Sequence, residues 1–171
     1  GSGPGATAWS NWQFALPALG ERFDCLAPDL IGYGKSDHPD DPPQGAEAWL
    51  DIWVNQQIEL LDNLGLEKAH LIGNSMGGAL SLHLLHRHPD RVDRVALMGT
   101  MGTPHQITSW LDQLWGFYDD PSEERMAEVI SWFVYTPDTV GGDLEGIAEQ
   151  RYPAAMDENV SCSFASMFPV P

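Results

Sequence analysis

At 171 residues and 18.8 kDa the chain has the size of one globular domain, or of a piece of one, and 43% hydrophobic with 19% charged residues sets it apart from disordered and fibrous sequences. Eight Lys and Arg against 25 Asp and Glu leave a net charge of -17, which repels nucleic-acid phosphate and anionic membrane surfaces and argues against either as a partner. No stretch approaches the ~20 apolar residues that span a bilayer, and two cysteines, Cys25 and Cys162, are too few for a disulfide framework. The opening residues, Gly1-Ser2-Gly3-Pro4-Gly5, lack the basic and apolar regions of a secretory leader, so a cytoplasmic location is expected and the chain reads as starting inside a structured element.

Arg22 to Ala27 (RFDCLA) reads as a short strand that empties through Pro28-Asp29 into a glycine-punctuated turn at 32–37, and a polar, proline-rich connector follows to Gly45. Between Ala46 and Leu64, apolar residues at helical spacing (Ala48, Ile52, Ile58, Leu61, Leu64) predict one long helix that Gly65 stops. Ala69 to Ile72 is a strand that passes through Gly73-Asn74-Ser75-Met76-Gly77 into a helix from Gly78 to His88, ended by Pro89. Arg94 to Met98 is a third strand. This alternation predicts an α/β fold on a parallel sheet. After Gly102 the pattern changes to helices near 107–117, 122–135 and 144–156, with a flexible link at 136–142, so the expected organisation is an α/β core over 1–102 and a helical cap over 103–171.

The pentapeptide at 73–77 is G-x-S-x-G, set between a strand and a helix, the context in which a serine is lifted above the end of a sheet as a nucleophile. Gly73 and Gly77 are expected to give the strand and helix room to pass. The amide of Met76 would sit at the helix N-terminus, where N–H groups and the helix dipole favour an oxyanion. A second amide comes from a loop ahead of the first helix in such sites, and Ser2 in the glycine-rich opening is the best-placed donor. Gly34-Lys35-Ser36 is not a phosphate-binding loop, because the glycine required five residues earlier is Asp29.

A serine nucleophile needs a histidine base, and none of the six (His38, His70, His83, His86, His88, His105) is well placed for it. Their spacing fits no metal site. Arg151 is the sole Lys or Arg after Arg125, in a segment dense with carboxylates. It is either a surface ion pair or a planar fork for a substrate carboxylate, which a molecule of this charge would need in order to hold an anion. The seven tryptophans are expected to pack helices and cap, with those near the cap as alternative candidates to line an aromatic pocket.

The segments GSGPGATAWSNW, APDLIGYGKSD, HLIGNSMGGALSL, RHPDRVDRVALMG, EQRYPAAM and FASMFP closely resemble the meta-cleavage product hydrolases, α/β-hydrolase enzymes of aromatic catabolism, over essentially the whole chain. The resemblance implies hydrolysis of a carbon–carbon bond in an anionic 2-hydroxy-6-oxo-dienoate, without metal or organic cofactor, in a protein that commonly forms homo-oligomers. By position it implies Ser75 as nucleophile, the Ser2 and Met76 amides as oxyanion hole, Asn11, Asn74 and Arg151 as groups holding the dienoate end, and Phe133 as an aromatic over the substrate. Family members also have a His and Gly where this chain begins, a preceding strand that lies between those expected at 22–27 and 69–72, and later strands bearing the catalytic Asp and His. The expectation is therefore a partial α/β-hydrolase fold with a helical cap, truncated at both ends. A carboxylesterase, a cofactor-free haloperoxidase or a non-catalytic fragment are the competing readings.

Overall fold

The computed structural model describes residues 2–102 and 108–169. In chain order its main elements are helices α1 (Ala8–Trp12), α2 (Leu16–Gly20) and α3 (Ala46–Asn63), strand β1 (Ala69–Asn74), α4 (Met76–Arg87), β2 (Val92–Met98), α5 (Ser109–Trp115), α6 (Glu123–Ser131), α7 (Leu144–Ala155) and α8 (Glu158–Met167). The described residues form two compact units. One holds Ser2 and everything described from Pro43 to Gly102; the other holds Gly3–Pro42 and the helices from Thr108 onward.

In the first unit β1 and β2 are parallel and α4 is the crossover between them, as parallel neighbours require. Their register runs from His70 opposite Arg94 to Asn74 opposite Met98. Helix α4 buries Met76, Leu80 and Leu84, one stripe at i, i+4, i+8, and ends where Pro89 forces His88 out of the helical region to φ -135°, ψ 59°. Helix α3 lies where the spacing predicts it, and Gly65 follows it at φ 66°. Its buried side is Trp49, Trp53, Val54 and Leu61, so of the residues that spacing singled out only Leu61 is buried. The tryptophans carry much more apolar area and take the inner side, their rings 5.9 Å apart.

The expected strand over 22–27 is absent. A strand is made by a neighbour's N–H and C=O groups, and among the described residues the ladder joins only β1 and β2. Phe23 and Leu26 stand exposed.

The second unit is helical, with a core of Leu114, Phe117, Met126, Val129, Ile130, Ala148 and Ala155. Trp115 and Phe168 stack at 4.7 Å. Ser122, Asp143 and Asp157 accept amide hydrogen bonds at the starts of α6, α7 and α8. Helix α6 stops at Ser131, short of the expected 135, because Trp132-Phe133-Val134-Tyr135 is a run of bulky residues with low helix propensity. The segment expected as a flexible link instead forms a 3-10 turn, Pro137–Val140, closed by left-handed Gly141. Helix α5 continues into a 3-10 turn at Gly116–Asp119, and the first residue of the expected helix, Ile107, lies outside the described residues. Trp9 and Trp110 are exposed, although Trp110 meets the Trp132 ring edge-on at 5.1 Å. No described helix is long and apolar enough to cross a membrane.

Candidate active site

Ser75 occupies the turn between β1 and α4 and is the only non-glycine described residue with positive φ, at φ 53°, ψ -115°. An L-residue in this region costs on the order of 1–3 kcal/mol and persists only where its surroundings over-determine it. They do so here. Ser75 N–H donates to Met98 O at 2.9 Å, extending the β ladder by one residue, and Ser75 O accepts from Gly78 N at 3.0 Å, Ala79 N at 3.3 Å and Met101 N at 3.2 Å. Strand, helix and the loop after β2 thus hold the two peptide groups on either side of one residue in place.

The glycines around it act differently from the expectation. A Cβ on Gly73 would collide with the carbonyl oxygen of Gly77 and lie 2.7 Å from Gly78 Cα, so Gly73 is needed for strand and helix to pass. Gly77 has open space where its Cβ would be; the second tight site is Gly78, whose Cβ would overlap Thr100. Gly77 contributes its backbone to this turn and not the lack of a side chain. Met76 is buried as the first residue of α4, and Asn74 is half-buried as the last of β1, so Asn74, Ser75 and Met76 form one continuous turn. Ser2, also buried, belongs to the same unit.

Among the described residues no histidine or carboxylate is hydrogen-bonded to the Ser75 side chain. His38 Nδ1 instead meets Ser163 Oγ at 2.9 Å, and His70 Nδ1 lies 3.1 Å from Asp93. His83 and His86 ride on α4, and His105 lies outside the described residues. No group of His, Cys, Asp and Glu among the described residues could hold a metal ion.

The second unit contains Asn11, Phe133 and Arg151. Asn11, on α1, donates from its side chain to Thr7 O at 2.8 Å. Phe133 is exposed and lines a pocket of about 360 Å³ with Thr108, Trp110, Leu111 and Trp132. Arg151, on α7, is not a surface ion pair: no carboxylate among the described residues lies within ion-pair distance of it. Its Nε–H donates to Pro4 O at 2.7 Å. Burial lowers its pKa from 12.5 to about 10, so it is still a cation at neutral pH.

Two residues that the sequence did not bring forward interact with this cation. Tyr33 and Tyr118 are coupled to it electrostatically, and burial pushes both phenols above the ordinary tyrosine value. Tyr118 Oη donates to Ala155 O at 2.8 Å, within the last turn of α7. Nothing in the spacing of 33, 118 and 151 announces that they meet; the one hint is that Tyr33 sits between Gly32 and Gly34, where a large residue in a tight loop needs somewhere to go.

Residues 3–132 match the family model of the alpha/beta hydrolase fold. Along its full length the chain is 42% identical to a 2-hydroxymuconate semialdehyde hydrolase of Pseudomonas sp. (strain CF600) and 41% identical to a 2-hydroxy-6-oxo-2,4-heptadienoate hydrolase of Pseudomonas putida, and it spans 57% and 59% of their lengths. A serine hydrolase structure from the hydrocarbon-degrading bacterium Cycloclasticus zankles superposes with a TM-score of 0.94 at 50% identity, over 98% of this chain and 59% of that one. A 2-hydroxy-6-oxo-6-phenylhexa-2,4-dienoate hydrolase from Rhodococcus sp. strain RHA1 gives 0.92 at 41% identity, again over 98% and 59%.

Proposed function

Because the chain belongs to the alpha/beta hydrolase fold family, with Ser75 at its strand-to-helix turn, we propose that the whole protein hydrolyses a carbon–carbon bond in a 2-hydroxy-6-oxo-dienoate, the substrate class named for its relatives. Ser75 is the nucleophile or the group that assists water, the amides of Ser2 and Met76 receive the oxyanion, and Asn11, Asn74 and Arg151 hold the 2-hydroxy-dienoate end. Phe133 and its pocket neighbours take an apolar part of the substrate. The whole protein works as a homo-oligomer in the cytoplasm, with neither metal nor organic cofactor.

The chemistry follows from where charge must go. The dienol takes a proton at carbon and becomes a ketone, after which the bond beside the 6-oxo group can break with its electron pair stabilised as a dienolate. Attack on the 6-oxo carbon by the serine oxygen or by water places negative charge on the carbonyl oxygen, where amide donors are most effective. Addition of water across the bond yields a carboxylic acid and a 2-hydroxypentadienoate. No residue of this chain is assigned as the base.

The observation that supports a dienoate over a neutral ester is Arg151. Taking a guanidinium even part of the way out of water is costly unless it is paired, and this half-buried one has a backbone carbonyl as its hydrogen-bond acceptor and no carboxylate partner among the described residues. A substrate carboxylate would supply the missing charge. In the whole protein, Arg151→Gln should raise KM for the dienoate roughly 10- to 100-fold, as expected for losing a charged hydrogen bond, while KM for p-nitrophenyl acetate stays within about twofold. Equal changes in the two KM values would remove the carboxylate role.

A further inference from the structure

Resting on that reading of Ser75 and Arg151, we propose that Arg151 is also a positioning residue for the loop that carries Ser2: one edge of its guanidinium clasps Gly3–Gly5 to helix α7, leaving the other for the substrate carboxylate. The contacts are specific and lie within one unit. Arg151 Nε–H bonds to Pro4 O at 2.7 Å. The guanidinium lies so close to Gly3 that a Cβ there would collide with Nη2 and sit 3.5 Å from Cζ. Gly5, at φ 64°, meets the same helix two residues later, where its Cβ would be 2.9 Å from both Ala155 N and Arg151 O. Between them Pro4 is fully buried, and Ala6 N–H closes the turn on Gly3 O at 3.1 Å.

Gly3 and Gly5 therefore fit against α7 with no side chain spacing them off, and each would clash if it had one, while the ring of the intervening Pro4 is buried. This explains the glycine pattern GPG at 3–5 by close approach as well as by turn formation. Ser2 is one peptide bond ahead of Gly3, so whatever fixes Gly3 limits where the Ser2 amide can go. An oxyanion donor is effective only when held within a fraction of an ångström of its place. Tyr118 reinforces the clasp by donating to Ala155 O, on the residue that Gly5 meets. There Pro153, lacking an N–H, leaves the helix one internal bond short.

The clasp and the clamp separate by substrate, since a neutral ester needs the oxyanion amides but no carboxylate fork. In the whole protein, p-nitrophenyl acetate turnover is compared among wild type, Arg151→Lys and Gly5→Ala, with hydrogen–deuterium exchange recorded over residues 2–6. Both variants should lower ester kcat about tenfold at unchanged KM and speed exchange over 2–6 while β1 and α4 stay as in wild type; Gly5→Ala should also keep the wild-type KM for the dienoate. Ester kcat at the wild-type level in either variant overturns the clasp. Wild type gives a reading that depends on no variant folding: Ala6 N–H should exchange as slowly as the α7 amides, and exchange at the unprotected rate is equally contrary. Full ester turnover in Ser75→Ala would instead count against the nucleophile, and the exchange rates over 2–6 would still decide the clasp.

Discussion

The turn at Ser75 and the helical unit around Phe117 are built by opposite means. At Ser75 the structure depends on atoms that are missing: Gly73 and Gly78 let a strand and a helix approach to distances that no Cβ could survive, and backbone hydrogen bonds from three directions then hold the serine in a left-handed conformation. Around Phe117 the structure depends on atoms that are present, with Leu114, Met126, Val129 and Ile130 filling the space between α5, α6 and α7. One region should thus be broken by adding a methyl group and the other by deleting a ring. The contrast also matches the tasks proposed for them, because a nucleophile has to be placed by a rigid backbone whereas a pocket wall such as Trp110, Trp132 and Phe133 can vary in its side chains.

The largest stability effect is expected in the helical unit. Phe117 is completely buried, and Phe117→Ala should destabilise by about 3–5 kcal/mol, read as a lower urea midpoint; a loss below about 1 kcal/mol would mean the core collapses around the hole and the contrast is weaker than described. At the turn, Gly73→Ala should cost roughly 2–4 kcal/mol, since the obstructing atoms are backbone and cannot swing aside.

Tyr118→Phe should cost about 1 kcal/mol at neutral pH through the lost bond to Ala155 O. It also carries a pH signature. Burial raises the Tyr118 pKa above its ordinary 10.0, so its contribution is intact below that value and is lost as pH rises beyond it, where the unfolded chain ionises first. Stability should therefore fall less steeply above about pH 10 in Tyr118→Phe than in wild type; parallel slopes would show that the phenol ionises as easily when folded. Gly77→Ala, in contrast to Gly73→Ala, should change stability by no more than about 0.5 kcal/mol.

How far the sequence reveals this molecule depends on how local each feature is. The strand–turn–helix around Ser75 was legible because all its determinants lie within a few residues and form a recognised pattern, although which glycine faces which obstacle was not, since Thr100 is distant in sequence. Helix α3 was legible in extent but not in its buried side, where two tryptophans outweigh the smaller residues that spacing favours. Helices α1 and α2, five residues each, are too short for periodicity to register. Helix α8 did carry a signal, with Asp157 as cap before Val160, Phe164 and Met167 at i, i+4, i+7. The strand over 22–27 failed for a different reason: its composition suits a strand, but pairing is a property of the neighbour. Arg151 was singled out by its charge and by the family resemblance, while its link to Pro4, 147 residues away, and to Tyr33 and Tyr118 exists only once the chain is folded.

The central claim is that Ser75 serves carbon–carbon bond hydrolysis in the whole protein. Its most direct test supplies a 2-hydroxy-6-oxo-dienoate to wild type and to Ser75→Ala, confirms an unchanged melting transition in the variant, and quantifies both products by chromatography. Wild type should release carboxylic acid and 2-hydroxypentadienoate in equal amounts, and Ser75→Ala should be slower by at least about 10³-fold. Wild-type product formation by the variant, or a wild type that cleaves p-nitrophenyl acetate and leaves the dienoate intact, would contradict the account.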